Sequence, residues 1–125
     1  MTVNTVELPR TASHPKRTAT FVAQSTANNN VRGVLEIREE TDAGKVSVSR
    51  YRLRGTVMIG PQKRVCFLFM LHPPGLRGVF YLPQYVAVNQ DELDECSCDR
   101  FAAQGVCKHT QAVRLAVMPR VTFAV

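Results

Sequence analysis

Four metal-ligating side chains crowd into fourteen residues near the C-terminus: Cys96-Ser97-Cys98, eight further residues, then Cys107-Lys108-His109. Three cysteines and one histidine are a full tetrahedral set for zinc. Residues i and i+2 of an extended segment point to one face, so Cys96 and Cys98 can aim at one ion if residues 95–99 are extended. Cys107 and His109 cannot both lie within a helix, where i and i+2 stand ~200° apart. Cys107 therefore has to precede a helix, with His109 in its first turn. The sequence after the turn residue Gly105 agrees: His109, Ala112, Val113, Ala116 and Val117 mark one helical face, and Met118-Pro119 marks its stop. The spacer 99–106 reads as a helical turn and a glycine corner, with Phe101 packed under the metal.

Two other readings of these residues are weaker. Disulfides are disfavoured because the N-terminus lacks the apolar core of a secretory signal; the expected setting is intracellular, cytoplasmic and reducing. An oxidised Cys96–Cys98 pair would also leave Cys107 and His109 without a role. Chance clustering does not account for the agreement between donor spacing and helix pattern.

The stretch from Cys96 to Val113 resembles the SWIM-type zinc finger. The likeness rests on C-x-C, a spacer and C-x-H running into an apolar helix. It also rests on Phe101 three residues after Cys98, Gly105 ahead of Cys107, and Lys108 between Cys107 and His109. The resemblance implies one structural Zn²⁺ on Cys96, Cys98, Cys107 and His109, in a strand pair followed by a helix. Such modules occur in bacterial helicase-like remodelling ATPases, plant Mutator-type transposases, signalling proteins and small bacterial proteins. The implied function is DNA binding, protein interaction, or both. The likeness extends over about residues 79–117 and no further.

For the rest of the chain the expected class is α+β: a small antiparallel β-sheet, then a zinc-stabilised strand–turn–helix, then a short C-terminal strand from Arg120. Residues 1–30 are poor in large apolar side chains and read as a flexible arm. Within them Phe21-Val22-Ala23 could add an edge strand, and Arg10, His14, Lys16 and Arg17 form a small basic cluster, read as a solvated tail. Residues 31–125 read as a single β-rich domain. Val31, Gly33, Leu35 and Ile37 alternate with more polar positions, Thr41 to Gly44 is a hairpin loop, and Val46 and Val48 open the return strand. Tyr51, Leu53, Val57 and Ile59 then continue on the opposite parity. A β-bulge near Ser49-Arg50 would reconcile the two phases. The apolar run Val65 to Leu71 reads as a central strand covered on both faces, with Cys66 a core residue; a strand over residues 79–88 is interrupted by Pro83.

That arrangement puts Arg50, Arg52 and Arg54 in a stripe on the outer face, extended by Lys63 and Arg64. Glu36 can neutralise Arg50, while Arg52 and Arg54 have no evident acidic neighbour. A row of this kind can follow a phosphate backbone, although it is also what an ordinary solvated sheet face looks like. The net charge of +6 becomes +5 once three thiolates and one divalent ion contribute −1, a bias compatible with nucleic acid but not diagnostic of it. The acidic turn Asp91, Glu92, Asp94 and Glu95 opposes phosphate on its own side of the finger.

No apolar run reaches the ~20 residues of a membrane span. Four protein donors leave no open position for catalysis, and no general base, phosphate-binding loop or nucleophile constellation stands nearby. The expectation is a non-catalytic zinc protein with no small-molecule substrate, acting as a nucleic-acid-binding accessory module. The alternative is a protein-interaction adaptor, docking through the stiff loop from His72 to Gly78.

Overall fold

The structure, a computed structural model, describes residues 2–11, 15–25, 30–59, 65–73, 83–89, 94–98 and 107–121. Its strands are β1 (Thr2–Glu7), β2 (Lys16–Ser25), β3 (Asn30–Glu40), β4 (Val46–Ile59), β5 (Val65–His72), β6 (Gln84–Asn89) and β7 (Glu95–Cys96). They pair in chain order, each antiparallel to the next, as one seven-stranded meander. Among the described residues one helix, α1 (Lys108–Ala112), runs on through a π-helical turn, Val113–Val117, and a 3₁₀ turn, Met118–Arg120. With 65% of the described residues in strands and one short helix among them, the fold is predominantly antiparallel β, which corrects the expected α+β class. The expected strand–turn–helix is reduced to a two-residue strand and this short helix.

The helix touches β1 and β2 near one edge of the sheet and β6 and β7 at the other. A flat seven-stranded ladder spans ~29 Å between outer strands, against a helix diameter of ~10–12 Å. The sheet therefore curls around the helix. Its inner face carries the core: Phe21, Leu35, Ile37, Leu53, Phe69, Leu71, Val86 and Val88 are buried against Ala112, Val113, Ala116 and Val117. These four helix residues and His109 are the stripe that periodicity picks out. Only this face is fully buried. β5 alternates buried and half-buried positions, so it is not covered on both sides, and Cys66 lies on the half-buried side.

Part of the expected N-terminal arm is sheet. β1 and β2 both fall within residues 1–30, and Ala19, Phe21 and Ala23 are buried. Small and threonine side chains suffice there because the helix comes close: Asn4 Nδ2 donates to Ala116 O at 2.8 Å. No bulge occurs near Ser49-Arg50. The β3–β4 register runs unbroken from Glu40↔Val46 to Asn30↔Thr56, with Ile37 opposite Ser49, Leu35 opposite Tyr51 and Gly33 opposite Leu53. A register shift falls instead between Ala23 and Ser25 of β2. Val46 and Val48 accordingly face outward, 41% and 52% exposed. On the inner face at this end stand Ser47, which is exposed, and Ser49, which is half-buried. Lys108 Nζ reaches Ser49 Oγ at 3.4 Å.

Two glycines have a geometric reason. Gly44, at φ 81°, turns the β3–β4 loop, which is closed by Thr41 N donating to Lys45 O at 2.9 Å. At Gly33 a Cβ would stand 2.3 Å from Val22 O and 2.6 Å from the Phe21 ring. Gly33→Ala therefore has to separate β2 from β3 or expel the ring. We expect it to cost ~1–3 kcal/mol in denaturant titration; a loss indistinguishable from zero would contradict this packing.

The remaining expectations fall outside the described residues. These are Lys63, Arg64, the packing of Phe101, Asp91 and Glu92, the loop beyond Pro73, the first part of the strand over 79–88, and the C-terminal strand beyond Val121.

Candidate metal centre and outer sheet face

The four donors converge. One ligand atom each from Cys96, Cys98, Cys107 and His109 lies within 4.8 Å of the others, and the residues are half-buried or buried. His109 Nδ1 is 3.7 Å from Cys96 Sγ and 3.8 Å from Cys107 Sγ. A tetrahedral ion with bonds of ~2.3 Å to sulfur and ~2.0–2.1 Å to nitrogen has S···N edges of about 3.6 Å. The cluster can hold one metal ion.

Three segments place the four donors. Cys96 pairs with Val86 at the end of β7, which points it to the inner face. Cys98 follows in a bend rather than in an extended strand, so only part of the expected extended segment forms. Cys107 is the N-cap of α1, with φ −153° and ψ 166°, and its Sγ accepts from Thr110 N at 3.5 Å. His109 follows in the first turn, as the spacing requires. The sulfurs of Cys96 and Cys107 influence each other. Cys107 is pulled down to about 3 by its hydrogen bond with Cys96, then by those from His109 and Thr110, against the opposing effect of burial. Cys96 is pushed above the usual thiol range, first by the same hydrogen bond and then by burial.

Residues distant in sequence complete the surroundings. Tyr51 Oη lies 3.0 Å from His109 Nε2, with the rings edge to face at 5.4 Å. A metal on Nδ1 leaves the hydrogen on Nε2, which then donates to Tyr51. Tyr51→Phe should weaken metal affinity ~10–100-fold, read by competition with a chromophoric chelator; unchanged affinity would show that the contact does not orient the ring. Lys108, between two of the ligands, donates from Nζ to Glu39 Oε1 at 2.8 Å. Glu39 is 5% exposed and also faces Arg17, itself 4% exposed, with Nε to Oε2 at 3.4 Å. Arg17 Nη1 donates to Pro9 O at 3.2 Å and Gln111 Oε1 at 3.3 Å. Arg17 is thus a buried tie, not part of a solvated basic tail. Ser97, between Cys96 and Cys98, accepts from Tyr85 N at 2.8 Å through its hydroxyl and donates its own N–H to Tyr85 O at 2.9 Å.

Among the described residues, no element packs on the outer face of the sheet. Arg50 is neutralised there as expected: its Nη2 and Nε donate to Glu36 Oε2 at 2.7 and 3.2 Å. Arg52 and Arg54 are exposed, and no carboxylate among the described residues pairs with them. The register adds a residue that sequence reading missed. Arg32 stands directly opposite Arg54, whose other neighbour is Met70, which in turn faces Tyr85. Two shallow hollows of 270 and 360 Å³ adjoin along this row, and Arg32 and Arg54 line both. Asp94, two residues before Cys96, is engaged by Arg114 at 2.6 Å.

No helix of the described residues is long and apolar enough to cross a membrane. The chain matches no protein-family model, no curated protein and no solved structure.

Proposed function

We propose that the chain is a non-catalytic, SWIM-like zinc module whose outer sheet face binds nucleic acid. Zinc is the ion favoured by three thiolates and one imidazole in a closed tetrahedral set. Its role is structural: it pins Cys107 and His109 of α1 to β7, and thereby closes the curled sheet over its helix. The observation that carries the binding reading is the cluster of Arg32, Arg52 and Arg54. Like charges directly opposite across strands destabilise a sheet, and the Arg32–Arg54 pair has no described counter-charge. An anionic partner relieves that cost.

Binding should weaken steeply with salt, and Arg52→Glu with Arg54→Glu should weaken it strongly while leaving enough at low salt to measure the slope. Removing two phosphate contacts lowers the slope of log K against log salt by about 1.4–1.8. Salt-insensitive or variant-insensitive binding would defeat the reading. A protein-interaction adaptor is the second reading. It is supported by the part of the β4 edge that has no partner among the described residues: β5 pairs only from Arg52 onward, while exposed Val46 and Val48 lie before it. Strand addition there would be unaffected by the arginine variant.

A further inference from the structure

We propose that the outer face is a platform for single-stranded nucleic acid, with phosphates on Arg32, Arg52 and Arg54 and a base stacked on Tyr85. This deepens the nucleic-acid reading above and rests on it.

The row Arg32–Arg54–Met70–Tyr85 crosses four neighbouring strands, β3 to β6, at a strand spacing of ~4.8 Å. One end is cationic and the other aromatic. Tyr85 is 44% exposed, large and planar, on a face that no described element covers. Arg52 lies two residues from Arg54 along β4, ~6.7 Å away, and faces Val34 and His72 across the sheet. Leu68 and Met70 form a half-buried apolar floor beside the cations, in the hollow that Arg32 and Arg54 line.

A duplex keeps its base faces stacked inside, so it offers the tyrosine no base face on which to stack. An unpaired strand offers both parts: charge for the arginines, and flat apolar faces for Tyr85 and Met70. Stacking of bases on aromatic side chains beside a cationic track is the physical basis of sequence-tolerant single-strand binding. Tyr85 is also held in place. Ser97, between two metal ligands, fixes both the N–H and the carbonyl of Tyr85. The metal centre on the inner side of the sheet thus braces the stacking residue on the outer side.

The test uses the full chain loaded with zinc. Fluorescence anisotropy is read with labelled single strands of about 12 nucleotides, one DNA and one RNA, and a duplex of the same length, at equal ionic strength. Single strands should bind at least ~10-fold tighter than duplex. Tyr85→Ala and Tyr85→Leu should weaken single-strand binding ~5- to 150-fold, while Tyr85→Phe, which keeps the ring, retains it. The three variants share the same backbone ties, so agreement of their zinc content and circular dichroism with those of the parent protein removes misfolding as an explanation. The DNA and RNA arms show which strand is preferred. If duplex binds as well as single strand, or if Tyr85→Ala changes nothing, the platform is overturned. Loss of that duplex binding in the Arg52→Glu, Arg54→Glu variant would then leave the phosphate-binding reading standing. If none of the probes binds even at low salt, that reading itself fails.

Discussion

Cys107→Ser is expected to abolish metal binding and to unfold the domain at ordinary temperature. Removal of the ion from the parent protein by a strong chelator should do the same. Binding of a structural ion in a thiolate-rich site contributes on the order of 10 kcal/mol, comparable to the whole stability of a small domain. The rest of the molecule cannot replace it. α1 is a five-residue α-helix that continues only as distorted turns, and so short a helix does not persist by itself. Its packing face is Ala112, Val113, Ala116 and Val117, of which only the two valines are larger than alanine. Once released, it uncovers the inner face of the sheet, where Phe21 and Phe69 are fully buried. Thermal melts followed by circular dichroism, with and without chelator, measure the effect. Coincident melts would show that the cage does not hold the fold together.

Glu39→Ala should cost ~3–5 kcal/mol in denaturant titration of the metal-loaded protein, the largest effect expected outside the cage. Glu39 is the shared counter-ion of two cations, Arg17 on β2 and Lys108 at the start of α1. Its removal strands a nearly inaccessible guanidinium and leaves the first helical residue without its anchor. Pairing it with Arg17→Met should recover much of the loss, because an apolar replacement of both partners avoids the desolvation cost that one partner alone must bear. A loss below ~1 kcal/mol for Glu39→Ala would mean that solvent reaches the site and screens it.

The cage was legible in the sequence because its rules are local. Cys-x-Cys can share a face where the chain is extended, Cys-x-His straddles a helix start, and the stripe from His109 to Val117 has one period. All of this needs only fourteen to twenty-two consecutive positions, 96–109 for the donors and 96–117 with the helix. Arg50 opposite Glu36 follows in the sequence only from a bulge near Ser49-Arg50 that does not form; in the structure the same pairing follows from the turn, where Glu40 stands opposite Val46. The phase change along β4 was misread because burial was assumed to be apolar. Ser49 is half-buried against Lys108, part of an ion cluster whose members lie in β2, β3 and α1, and no window of sequence around β4 contains them.

The N-terminal strands were misread for a related reason. Composition counts large apolar side chains, but Ala19 and Ala23 are buried where the helix lies close and little volume remains. How the helix packs is a property of the assembled sheet. Tyr51, 58 residues from His109, and Arg32 opposite Arg54 likewise depend on pairing that only the whole meander specifies.

The chain by itself determined the donor set, the start and buried face of the helix, and the place of the β3–β4 turn, because these follow from bond directions and periods over short spans. The tertiary structure alone decided that the sheet wraps its helix, that Glu39 is buried between two cations, and that Arg32, Arg54, Met70 and Tyr85 share one row. Those relations are set by register summed over several strands and by which face the helix closes, and neither quantity is written in any local stretch of residues.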